Sequence, residues 1–193
     1  AFTPDEEVGR GVEHFDIDRF GADYAYTVDG GPIDEIAYEN FNAYKAEVII
    51  TGKSYHPGAA KGKMVNAITL GRYFDALLGE HDRPEYLNET YGDVIEITFT
   101  KQYENMKSVI EQYPEVVDQV SEAMLDVGLT PKASPIRGGT DGAILSLKGL
   151  PTPNLGTGGY NYHGPYEYCD LTEMKKAVEL LLAILRNNTR NIY

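Results

Sequence analysis

The chain has 193 residues, 42% of them apolar, and 30 Asp and Glu against 17 Lys and Arg give it a formal net charge of −13. That length and apolar content can build a real core in one ordinary domain or two small ones. The acidity excludes a binder of phosphate backbones, the short apolar runs exclude a helical membrane span, and the single Cys169 excludes an internal disulfide, so the expected setting is cytoplasmic, with no nucleic-acid or membrane partner.

Residues 1–12 read as a loop with a turn, since Pro4, an acidic run, Gly9 and Gly11 follow one another. Residues 22–29 are rich in β-formers and stop at Gly30-Gly31-Pro32, which predicts a strand ending at Asp29. Residues 36–42 read as a second strand or edge, and 44–51 as a strand closed by Gly52. Apolar positions from Met64 to Leu78 recur at helical spacing, which predicts a helix over 64–78. The stretch 81–92 is polar and contains Pro84. Alternation over 94–100 predicts a strand, and 114–127 an amphipathic helix stopped by Gly128. A glycine-rich loop over 136–142 leads into a short helix over 143–147, and 153–162 is a glycine-rich strand-to-loop stretch. Residues 171–187 predict a long helix with Thr172 as its N-cap and Arg186 in its last turn. This alternation predicts an α/β architecture, with a small second domain over residues 39–106.

Three loops carry residues that a fold alone would not require. Asp5, Glu6 and Glu7 are adjacent carboxylates that repel one another unless a cation lies nearby, although a solvated acidic turn is the simpler reading. Asp29 ends a strand, where ligands of α/β folds often sit, but Asp-Gly is also ordinary turn chemistry. His163 lies among Gly158, Gly159 and Gly164, a density that suits close backbone approach. Glu, Asp and His together would suit zinc or manganese, and the sequence leaves open whether the three loops meet. Arg137, flanked by glycines, is either an anion clamp or the partner of Asp141 in a stiffened turn. His56, before Pro57-Gly58, is either an electrophile or a turn histidine.

The motifs Thr3-Pro4-Asp5-Glu6-Glu7-Val8-Gly9, Tyr26-Thr27-Val28-Asp29-Gly30-Gly31, Ser54-Tyr55-His56-Pro57-Gly58, Pro135-Ile136-Arg137-Gly138-Gly139-Thr140-Asp141-Gly142 and Gly158-Gly159-Tyr160-Asn161-Tyr162-His163-Gly164 occur in that order. The series resembles the peptidase T branch of the M20-type co-catalytic zinc metallopeptidases, over most of the chain. The resemblance implies a zinc-exopeptidase-like mixed sheet flanked by helices, with an inserted small α+β lid. On this reading the catalytic domain comprises 1–38 and 107–193, and 39–106 is a shortened lid and dimerisation domain. It implies an aminopeptidase that releases the N-terminal residue of tripeptides, with two zinc ions per complete site and a possible homodimer. Glu6 would be the general base, Glu7 and His163 ligands of one zinc, and Asp29 a ligand of the other. His56 would reach the carbonyl oxygen from the lid, and Arg137 and Asn66 would contact substrate.

The resemblance also implies departures. The family's His-x-Asp motif and the aspartate bridging both metals would fall before Ala1, and the lid would be shortened near Tyr91-Gly92-Asp93. Such a chain would hold an incomplete metal site and apolar edges prone to self-association. Two other readings follow: a non-catalytic remnant that binds peptides or dimerises through Arg137 and His56, or another M20-type peptidase or amidohydrolase.

Overall fold

The computed structural model describes residues 1–76 and 83–190. They form two compact units, one of Ala1–Ala43 with Tyr103–Tyr193 and one of Tyr44–Gln102.

The larger unit is built on a mixed sheet of β1 (Thr27–Gly30), β2 (Glu35–Ala37), β5 (Lys132–Ala133) and β6 (Asn154–Gly156), in the order β1-β6-β2-β5. Strand β6 runs parallel to β1 and antiparallel to β2, and β5 is parallel to β2. All of β6 is buried, as a central strand covered on both faces must be. On one face, Ile36 and Leu155 pack against Val120, Ala123 and Met124 of α5 (Pro114–Asp126) and Leu180, Ala183 and Ile184 of α7 (Leu171–Arg190). Strand alternation puts Thr27 and Asn154 on the other face, where Gly142 of α6 (Asp141–Leu147) sits so close to Thr27 Oγ1 that a Cβ there would clash. The mixed α/β architecture expected from the sequence is therefore present. Helix α7 is apolar on two sides: away from its buried stripe, Leu171, Met174, Val178, Leu182 and Leu185 are exposed.

Several local expectations are corrected. Residues 22–26 are not strand, because Ala25 and Thr27 donate to the carbonyls of Pro151 and Pro153, and prolines cannot return a ladder bond. Asp170, not Thr172, caps α7: its Oδ1 accepts from the amides of Thr172 and Glu173 at 2.7 and 3.0 Å. The helix continues to Arg190, so Arg186 lies before its last turn. Two short helices lacked any periodic signal: α1 (Ile17–Phe20), capped by Asp16, and α4 (Lys107–Ile110).

In the smaller unit, β3 (Ala43–Ile50) pairs with β4 (Ile95–Tyr103). Their apolar face packs Val48, Ile50, Ile95 and Ile97 with Leu70 of α2 (Ala67–Ala76) and Leu87 of α3 (Arg83–Tyr91). Helix α2 starts later than its periodicity suggested, because Val65 is bridged to Lys53 by two backbone hydrogen bonds of 2.9 and 3.0 Å. Leu77 and Leu78 lie outside the described residues. The polar stretch around Pro84 is helical, with the proline in the first turn, where its missing N–H costs nothing.

A buried asparagine joins the two places where the larger unit's chain departs and returns. Asn40, 0% exposed, accepts from Met106 N at 2.8 Å and donates to the carbonyls of Glu104 and Phe41 at 2.9 and 3.1 Å. Asn42 Oδ1 accepts from Asn105 N at 2.9 Å. The same segment holds the Arg137 loop, through Phe41 N to Ile136 O and Ile136 N to Glu39 O.

Candidate active site

Glu6, Glu7, Asp29 and His163 come from three separate segments of the larger unit. Glu6 and Glu7 open a single 3-10 turn (Glu6–Val8), which follows Asp5 in a left-handed conformation (φ 63°) and is closed by Gly9. Asp29 sits at a bulge: the register of β1 on β6 slips between Val28 and Gly30, leaving Asp29 as the extra residue. Bulges re-aim a side chain at the end of a strand. His163 is reached through β7 (Gly159–Tyr160), the strand before its loop, which pairs with β8 (Tyr168–Cys169). The loop is fastened to the end of β1, where Gly30 O accepts from Thr157 Oγ1 at 2.7 Å and from the Tyr162 hydroxyl at 2.9 Å. His163 itself has φ 62°, an uncommon conformation for a residue with a side chain, and its N–H donates to Glu167.

This arrangement sets His163 Nε2 3.7 Å from Glu7 Oε2. Ligands each ~2 Å from a tetrahedral zinc stand about 3.3 Å apart, so the pair is close to the spacing of two donors sharing a metal. Among the described residues, however, no three His, Cys, Asp or Glu side chains converge tightly enough to enclose one. The donor chemistry suits zinc, and the set is one-sided. Electrostatics point the same way. Burial first, then the charges of Asp29, Asp141 and Glu7, push the Glu6 carboxyl above its ordinary range, with His163 opposing. Burial, then Glu7 and Asp141, raise Asp29 likewise. Carboxylates held this way have lost part of their solvation to burial and feel one another's charge, with His163 only a partial counterweight at Glu6, the condition that a bound cation relieves.

Asp141 joins this group through its charge on Glu6 and Asp29. The sequence motif suggests for it only a pairing with Arg137, and that pairing is absent among the described residues. Arg137 is exposed, with no ion pair among the described residues, while buried Asp141 accepts from Thr3 Oγ1 at 2.9 Å. Tyr160, three residues before His163, stacks on Tyr168 and donates to both oxygens of Glu173, a bond that, with burial and the Glu173 charge, pushes its hydroxyl to about 12.

The other two expected residues lie in the smaller unit, and each has a local role. His56 caps a short 3-10 turn, its Nδ1 accepting from Gly58 N at 3.2 Å, so a neutral ring carries its proton on Nε2. Asn66 Oδ1 accepts from Ile68 and Thr69 N at 3.0 and 3.2 Å, which caps α2.

Peptidase T of Listeria monocytogenes is 43% identical over 234 residues, covering 96% of this chain, and this chain spans only 57% of that relative's length. An aminopeptidase PepT structure from Bacillus cereus superposes with a TM-score of 0.77 at 24% identity, over 96% of this chain and 62% of that one, which shows the fold. The YXEP protein of Bacillus subtilis, described as a dinuclear metal binding peptidase of the M20 family, has a TM-score of 0.58 at 17% identity, over 97% of this chain and 64% of its own. The model of peptidase family M20/M25/M40 matches residues 1–187, and the chain belongs to that family.

Proposed function

We propose that this chain carries one side of the active site of a zinc-dependent aminopeptidase that removes the N-terminal residue of tripeptides, in a cytoplasmic setting. The observation that supports it best is the approach of His163 to Glu7 beside a Glu6 whose carboxyl is held above its ordinary range. Glu7 and His163 would hold one zinc and Asp29 would belong to the second, and bound zinc would supply a lowered water pKa and a polarised scissile carbonyl. Glu6 takes the proton of the attacking water and returns it to the departing amine, a task that calls for a carboxyl poised nearer neutrality than an ordinary glutamate. His56, with its proton on Nε2, is a hydrogen-bond donor suited to the oxygen on which charge develops. Exposed Arg137 offers its fork to the peptide's carboxylate. Exposed Tyr44 and Phe99 in the smaller unit suit the dimer that the lid reading calls for.

The test is hydrolysis of trialanine by this polypeptide with added zinc, beside Glu6→Gln and a chelator control. Activity lost in both controls supports the reading, and equal rates in wild type and Glu6→Gln overturn it. A second reading, peptide binding without hydrolysis, is favoured by the one-sided donor set. It requires trialanine affinity that survives chelation and falls in Arg137→Ala.

A further inference from the structure

We propose that Asp141 is the positioning residue that docks the Glu6–Glu7 turn onto the larger unit, acting through Thr3; the role rests on the peptidase reading above.

The two ends of the segment carrying Glu6 and Glu7 abut this one carboxylate. On the near side, Thr3 Oγ1 donates to Asp141 Oδ2 at 2.9 Å across 138 residues of sequence. On the far side, Gly11 lies flat against both carboxylate oxygens, so close that a Cβ on Gly11 would overlap them. Between these points the turn is held by its own backbone bonds: Gly9 N to Glu6 O at 2.7 Å, Arg10 N to Asp5 O at 3.0 Å and Val8 N to Asp5 O at 3.3 Å. The segment is thus stiff inside and fastened at its ends, and the fastening determines where Glu6 and Glu7 stand.

Asp141 suits an anchor because it is itself fixed. It is the first residue of α6, 6% exposed, behind an N-cap in which Thr140 Oγ1 accepts from Ala143 N at 3.2 Å. The far end of α6 holds the same stretch, with Lys148 Nζ donating to the carbonyls of Val12 and Glu13 at 2.6 and 3.0 Å. No cation among the described residues pairs with Asp141. A buried carboxylate without a counter-charge is costly, and leucine or alanine would fill a purely structural position with less penalty. What aspartate offers here is a strong acceptor for the Thr3 hydroxyl.

Amide hydrogen exchange on the intact chain tests this without requiring catalysis. In Asp141→Ala and Thr3→Val, the amides of Val8, Gly9 and Arg10 should exchange about tenfold faster, the factor for losing one hydrogen bond to a charged group, while α5 stays protected. Thr3→Ser, which keeps the donor, should recover wild-type exchange, and Asp141→Asn, which keeps an acceptor without its charge, should recover it in part. In the hydrolysis assay the first pair should lower kcat more than they change KM, and Thr3→Ser should recover it. Unchanged turn exchange in both Asp141→Ala and Thr3→Val overturns the proposal, as does failure of Thr3→Ser to recover wild-type exchange. If Asp141→Ala also exposes α5, Thr3→Val alone decides. A chain that hydrolyses nothing refutes the peptidase reading and leaves the exchange result to judge the anchor.

Discussion

Asn40→Ala should cost about 3 kcal/mol of folding stability, taking a buried group left without its partner at roughly 1–3 kcal/mol. The side chain makes three hydrogen bonds, to Met106 N, Glu104 O and Phe41 O. Alanine strands the Met106 amide where that residue is itself 0% exposed, and removes a donor from each of two carbonyls. Water reaches the Met106 amide poorly, so the desolvation penalty of that group is felt in the native state, while the two carbonyl bonds are part-buried and add less. A loss of this size is a large share of the roughly 5–15 kcal/mol that holds a typical domain. With a urea dependence of about 2 kcal/mol per molar, the midpoint should fall by about 1.5 M. Circular dichroism at helix wavelengths is the suitable probe, since the chain has no tryptophan. Asn40→Asp keeps an acceptor for Met106 but loses both donors and buries a charge, so it should fare no better. A midpoint shift under about 0.3 M in Asn40→Ala would refute the claim that these bonds hold the larger unit together.

Other perturbations probe the site and the surfaces. Glu6 and Asp29 have carboxyls raised above their ordinary ranges, so the folded chain binds their protons more tightly than the unfolded chain does. Stability should therefore fall as pH rises from about 4 through the raised values, and Glu6→Gln or Asp29→Asn should flatten that slope in thermal melts. Added zinc should flatten it in the wild type too; slopes that match in every sample would refute the electrostatic account. Asp170 is held below its ordinary range by the amides of Glu173 and Thr172, so its capping contribution is complete above the unfolded aspartate pKa and is lost as pH falls through the depressed one. Asp170→Ala should speed amide exchange over Thr172 and Glu173 at neutral pH and make no difference in strong acid. Val178→Glu with Leu182→Glu, on the exposed stripe of α7, should leave the urea midpoint nearly unchanged while raising the concentration at which light scattering grows. A large fall in midpoint would mean that the stripe is already covered.

The elements that could be read in the sequence were those whose burial repeats along the chain. Strand β4 alternates in sequence, and α5 and α7 carry long 3.6-residue patterns, so one period identifies each of them. Strands β5 and β8 have two residues apiece and no period, and exist because a partner strand is already in place. The start of β1 depended on prolines more than a hundred residues away, and α3 on the burial of Leu87 in an otherwise polar stretch. For the site, motif order sufficed to nominate Glu6, Glu7, Asp29 and His163. The placing of the His163 loop beside the end of β1 rests on Gly30 accepting bonds from Thr157 and Tyr162, which no spacing encodes. Asp141 stayed hidden because its partner is a threonine rather than the nearby arginine, and burial, the property that singles it out, is a tertiary one.

The asparagine staple bears on how this chain can change over evolutionary time. Residues 44–102 depart and return at neighbouring points that Asn40, Asn42 and Asn105 already hold together. An excursion with tethered ends can grow or shrink without the host paying again to close a loop. The Listeria relative matches this 193-residue chain with a stretch of 234 residues, so length has been gained or lost inside the shared region. The three amides bond only to the larger unit's own segments on either side of this excursion, so editing of the excursion can leave the larger unit undisturbed.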